Sequence, residues 1–102
     1  MAEIFELLKT TGYPVAYHHF KSPPSIPFIT YVDNGTTNFM ADDSVFGKIN
    51  NIDVELYTDK KDVAAEKKLE DLFEENGIAW EAFEEWIESE KMYQRIYEIG
   101  VR

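Results

Sequence analysis

From Ile52 the chain alternates cleanly, with Ile52, Val54 and Leu56 on one side of an extended backbone and Asn51, Asp53, Glu55 and Tyr57 on the other. Successive side chains of a strand point to opposite faces, so the pattern predicts a strand with one dry and one wet side. A different period governs the residues that follow. Ala65, Leu69, Leu72 and Phe73 form one stripe at helical spacing, with Asp59 or Asp62 placed to accept from the first free amides and Asn76-Gly77 placed to end the run. A helix over about 62–76 is expected. Ile4, Leu7 and Leu8, with Phe5 beside them, predict a shorter helix over about 3–10, and Gly12 stands where a helix end calls for positive φ.

Between these elements the pattern is extended. Val15 to Phe20 alternates Val15, Tyr17 and His19 against Ala16, His18 and Phe20, as a strand does. Ser22-Pro23-Pro24-Ser25-Ile26-Pro27 lacks three backbone donors and must connect rather than pair. Phe28 to Val32 resumes as a strand. Asp33-Asn34-Gly35-Thr36 then predicts a type I′ turn, giving a hairpin onto about 37–41.

Residues 78–88 fit two periods, because Trp80, Phe83 and Ile87 suit a helix whereas Trp80, Ala82 and Trp86 share one face of a strand. A strand is preferred. Glu88-Ser89-Glu90-Lys91 forms a polar turn into Met92-Tyr93-Gln94-Arg95-Ile96-Tyr97, whose aromatic and β-branched content favours a partner strand. The order α-β-β-β-α-β-β follows. It implies a two-layer α+β domain with a mostly antiparallel sheet and both helices on one face. The 102 residues suffice for one core, so a single domain over 1–102 is expected.

Composition narrows the classes of function. With 10 Lys and Arg against 20 Asp and Glu, the formal net charge is -10, and such a field repels phosphate backbones. Direct nucleic-acid binding is not expected. Anionic membrane surfaces are disfavoured too, and no apolar run approaches the roughly 20 residues that span a bilayer. The absence of cysteine excludes disulfides, thiolate nucleophiles and Cys-based zinc sites. Met1-Ala2-Glu3-Ile4 shows no basic segment ahead of an apolar one, so folding in a cytoplasm is expected. Asn34-Gly35-Thr36 matches a glycosylation acceptor but in that setting is turn chemistry.

Candidate chemistry is sparse. His18 and His19, as neighbours on a strand, are expected to point apart and not to share a metal. Asp42-Asp43 has no further oxygen ligands at loop spacing. Glu84, Glu85, Glu88 and Glu90 suit a wet face, with no carboxyl marked as a buried acid. Ser22, Ser25, Ser44 and Ser89 show no nucleophile elbow, and the glycines form no phosphate-cradling loop. No enzymatic activity and no cofactor or metal are expected.

Partner contact has more support. Thr37 to Lys48 sets Phe39, Met40, Val45 and Phe46 among polar residues in a stretch that reads as irregular. Apolar groups on such a segment are candidates for an interface, although closing one end of the core would explain them equally well. Trp86 and Tyr93 join them as interface candidates, with Trp80 and Tyr97 nearby, because aromatics dominate interface hot spots, although core packing is the expected role of at least half of these four.

Taken in order, Glu6-Leu7-Leu8-Lys9-Thr10-Thr11-Gly12-Tyr13-Pro14-Val15-Ala16-Tyr17, Pro27-Phe28-Ile29-Thr30-Tyr31, Ile49-Asn50-Asn51, Val54-Glu55-Leu56-Tyr57-Thr58-Asp59-Lys60-Lys61 and Glu88-Ser89-Glu90-Lys91-Met92-Tyr93-Gln94 span nearly the whole chain. In order and spacing they resemble a family of small phage-encoded proteins found among the tail genes of long-tailed phages and prophages of Gram-positive bacteria. These are described as tail completion or head-to-tail joining proteins. The resemblance implies a domain of the tail-terminator type with no catalytic residues. Its subunits are expected to form a ring, a hexamer being the size expected, that terminates the tail tube, joins it to the head connector, or both. It implies a life in the host cytoplasm during assembly and then in the virion tail or head-to-tail junction. A ring needs two different patches on each subunit. The apolar 37–48 segment is a candidate for one. An acidic lumen would let DNA slide through without sticking.

Two other classes compete. A small acidic phage inhibitor would present carboxylates in place of phosphates to a host nucleic-acid-binding protein, and would gather its acids on one surface. A small-molecule-binding domain has only the aromatics in its favour.

Overall fold

The computed structural model of the chain describes residues 2–41 and 44–101, and of residues 2, 38–41 and 44–47 the backbone alone. The helical stripe forms α2 (Val63–Glu75). Asp62 caps it, its side-chain oxygen accepting from the Ala65 amide at 3.0 Å and its carbonyl from the Glu66 amide at 3.1 Å. At the other end Asn76 donates from its side chain to the Leu72 carbonyl at 2.8 Å, and Gly77 adopts φ +68. That backbone lets the Ile78 amide reach the Phe73 carbonyl at 2.8 Å. Asp62→Ala is expected to cost about 1 kcal/mol, seen in urea unfolding as a lower midpoint at unchanged slope.

The first helix, α1 (Ala2–Lys9), ends as its sequence suggests, with Thr11 donating to the Leu8 carbonyl at 2.8 Å and Gly12 at φ +86. Five strands follow the predicted order: β1 (Val15–Tyr17), β2 (Phe28–Ala41), β3 (Ser44–Thr58), β4 (Trp80–Ile87) and β5 (Met92–Val101). They build one sheet ordered β1-β2-β3-β5-β4, antiparallel except for β1 beside β2. Residues 80–87 are a strand, as the turn at 88–91 and the run after it suggest, and pair with β5 from Trp80↔Ile99 to Ile87↔Met92.

Ile52, Val54 and Leu56 face the helices together with Ile29, Tyr31, Tyr97 and Ile99, and all are buried. Ile4 and Leu8 of α1 and Ala65, Leu69 and Phe73 of α2 close over them. Aromatic edges order this layer. Phe73 and Trp80 both meet the Tyr97 ring edge-on, at 5.6 and 5.5 Å between centroids. The fold is therefore a two-layer α+β domain with both helices on one face.

A polar cluster pins α2 to β5 inside this layer. The Tyr97 hydroxyl donates to Glu70 at 2.7 Å and accepts from Arg95 Nε at 3.0 Å. Arg95 also lies 3.5 Å from Glu66 and 3.4 Å from Glu70, while Lys61 bridges Glu66 and Glu84. Burial, and then the hydrogen bond to Glu70, push the Tyr97 phenol well above its ordinary value. The folded chain therefore keeps this proton to higher pH than the unfolded chain. The contribution is complete below about pH 10 and is lost as pH rises above it. Unfolding free energy is expected to fall through the alkaline range, less steeply in Tyr97→Phe. A residual slope should remain, because burial raises Tyr13, Tyr31 and Tyr57 as well.

Three local expectations are corrected. Asn34-Gly35 makes no turn, because β2 runs straight on through it to Ala41. Its glycine, at φ +99, sits instead in a bulge between Asp33 and Thr36, where the register against β3 shifts. Residues 37–41 and 44–48 are not an irregular segment. Their backbones pair as Thr37↔Ile49, Asn38↔Lys48, Phe39↔Gly47, Met40↔Val45 and Ala41↔Ser44, making an arm that runs past the last β3–β5 pair, Asn50↔Val101. The strand expected over 15–20 stops at Tyr17, since His18 takes φ +68 and its amide donates to the Tyr31 carbonyl. As a result the two histidine rings do not point apart. They meet edge-on, with their Nδ1 atoms 3.1 Å from each other.

Candidate interaction surface

The strand alternation that fills the core also fixes what lies on the other side of the sheet. Phe28, Thr30 and Val32 of β2, Asp53, Glu55 and Tyr57 of β3, Gln94, Ile96 and Glu98 of β5, and Glu81, Phe83, Glu85 and Ile87 of β4 share that side by register. No described helix covers it, as both helices lie on the core side. Its apolar members are partly buried by one another. Phe28 and Tyr57 stack as cross-strand neighbours with centroids 4.7 Å apart and planes 15° from parallel, and Phe20 meets Phe28 edge-on at 5.5 Å. Phe83 is 46% exposed.

Polar bonds hold the centre of this open face still. Glu55 accepts from the Thr30 hydroxyl at 2.7 Å and from the Gln94 amide at 3.3 Å, and the same amide donates to the Tyr57 hydroxyl at 2.9 Å. Asp53, Glu98 and Glu81 form a row across the strands on the arm side of this centre, and Glu85, on β4, stands beside Gln94. None of the described β2–β5 residues on this side is Lys or Arg. Acids that alternate harmlessly along each strand thus gather on one surface once the strands align.

At the end away from the arm the face dips into a groove of about 410 Å³, floored by Phe28, Tyr57, Ile87 and Met92 and walled by the proline segment from Phe20 to Ile26. His18, His19, Lys21 and Glu90 line its rim. Trp86 and Tyr93 lie at this same end but on the core side of the sheet, beyond the cover of α2. Their rings meet edge-on at 4.8 Å, Trp86 remains 45% exposed, and its indole donates to Glu88 at 2.6 Å.

The interface candidates thus divide between two ends. Phe39, Met40, Val45 and Phe46 occupy the backbone of the arm, and their side chains lie outside the described residues, as does Asp42-Asp43. Trp86 and Tyr93 mark the opposite end, along a molecule whose extents are 50 × 26 × 23 Å. Phe28, Tyr57, Phe83 and Ile96 were not singled out by the sequence. Their signal was the phase opposite to the core residues of the same strands.

Among the described residues no group of three or more His, Cys, Asp and Glu side chains gathers as a metal site, and no buried side-chain nitrogen or oxygen lacks a partner. No described helix is long and apolar enough to cross a membrane. No protein-family model and no curated protein matches the chain.

Proposed function

We propose that this chain is a structural subunit of a phage tail or head-to-tail junction, assembling head to tail into a ring. The observation that carries it is the placement of two unlike features at opposite ends of an elongated subunit, the β2–β3 arm at one and the Trp86–Tyr93 pair at the other. A ring closes through heterologous contacts, in which one patch of each copy meets a different patch of the next. The α-β-β-β-α-β-β order is the one this reading expects, and the resemblance of several segments to tail completion proteins favours the same assignment. In this role the chain works by contact with its own copies, the tail tube and the head connector, without catalysis, in the host cytoplasm during assembly and then in the virion. Ring size, a hexamer in the expectation from the family, follows from the angle between successive copies.

Electron microscopy of lysate from a phage lacking only this gene tests the assignment. Filled heads beside unjoined or overlong tails are expected. Normal virions would refute it.

A second role, inhibition of a host nucleic-acid-binding protein by mimicry of phosphates, gains from the gathering of acids on the open face. Binding of the purified chain to such a protein, in competition with DNA, together with normal virions from the deletion phage, would put this role first.

A further inference from the structure

We infer that the open face of the sheet is a docking surface for a second protein whose contacting patch sets apolar groups beside Lys or Arg side chains.

The apolar groups come first. Phe28 and Tyr57 stack at the groove end, with Ile96 and Phe83 one row further on along β5 and β4, and no described helix covers them. Apolar side chains grouped on the outer face of a sheet lose less water than they could, and a partner with apolar groups of its own would complete their burial. The acids decide which partner. Asp53, Glu98 and Glu81 form a row on the arm side of these groups and Glu85 stands beside them on β4, with no Lys or Arg among the described β2–β5 residues of that side, so an approaching surface must be cationic to gain from the field and to avoid repulsion.

Charge also argues against a second copy laid face to face, since that contact would set the same acids against each other. α2 of another copy is no better suited, because Lys67 is held by Asp71 at 2.7 Å and Lys68 lies over the Tyr13 ring, while Glu74 and Glu75 stand exposed beside them. Glu55, tied to Thr30 and Gln94, keeps the centre rigid, so docking requires little ordering of these side chains.

This inference stands apart from the ring. A subunit that never assembles would still bind through the face, and a ring could form through the ends with the face left bare.

The probe is a synthetic amphipathic helix of leucine and lysine, titrated into the full chain and followed by amide chemical shifts. A counterpart with glutamate for lysine serves as control. Shifts centred on Phe28, Tyr57, Phe83 and Ile96 are expected with the lysine peptide alone, weakening as salt is raised. The variant Glu81→Lys/Glu85→Lys/Glu98→Lys should weaken binding roughly tenfold or more, while circular dichroism and the thermal midpoint stay near those of the parent. Phe83→Asn, at an exposed position, should weaken it at equal charge. The inference is overturned if the shifts map to the helices or the arm, if the glutamate peptide binds equally well, or if neither variant changes the affinity. A dimer in sedimentation that Phe83→Asn dissolves would overturn it too, by making a second copy the occupant.

Discussion

Phe73→Ala should destabilise the domain by about 3–5 kcal/mol, the largest loss expected from any single truncation here. Phe73 is fully buried, stands on the α2 stripe over the centre of the sheet, and packs edge-on against Tyr97, which in turn meets Trp80. Alanine would leave a ring-sized void between helix and sheet. The surroundings are poorly placed to collapse into it, because Tyr97 is held through its hydroxyl by Glu70 and Arg95. A domain of this size has about 5–15 kcal/mol in hand, so the variant should melt roughly 20 °C below the parent. Thermal unfolding followed by circular dichroism measures this. A fall of only a few degrees would mean that α2 does not sit on the sheet as described.

Arg95→Leu is expected to have the next largest effect. The guanidinium is only 21% exposed and lies between Glu66 at 12% and Glu70 at 22%. Removing it strands two partly buried carboxylates, leaving Glu66 to Lys61 and Glu70 to the Tyr97 hydroxyl. A fully buried pair broken from one side costs about 3–5 kcal/mol, and residual solvent access lowers that here to about 2 kcal/mol. Arg95→Lys should recover only part of the loss, since an ammonium cannot reproduce the guanidinium fork. A double-mutant cycle with Glu70→Gln isolates the interaction. Additive effects in that cycle would show that Arg95 acts through packing alone.

How far the sequence foretold all this depended on the range of the interaction. α2 was legible because its cap, stripe and terminating Asn76-Gly77 lie within one stretch of chain, and the Ile52–Tyr57 alternation was legible for the same reason. β4 was decided by its neighbour, since the turn at 88–91 and the aromatic run after it gave Trp80–Ile87 a partner. The arm was missed because Asn34-Gly35 suits a type I′ turn and a bulge equally well. Only the availability of Ile49 and Asn50 as partners for Thr37 and Thr36 favours the bulge. His18 carried no local signal for its left-handed backbone, and so the facing histidine rings were not foreseen.

The open face was hidden for a different reason. Glu81, Glu85, Asp53 and Glu98 look on their own strands like ordinary solvated acids. Alignment of β4 and β5 with β3 makes them neighbours, and that register is a property of the whole sheet.

The strand order also shapes how the chain finds its fold. β2 pairs with β3, and β4 with β5, across short connections, so each hairpin can form from local contacts. The seam between β3 and β5 joins residues as distant as Asn50 and Val101 and must wait for the intervening chain to close. Formation of α2 shortens that intervening chain and brings Leu69 and Phe73 over both halves at once. Two hairpins, drawn together by one helix along a single seam, make the meeting of β3 and β5 the step expected to limit folding.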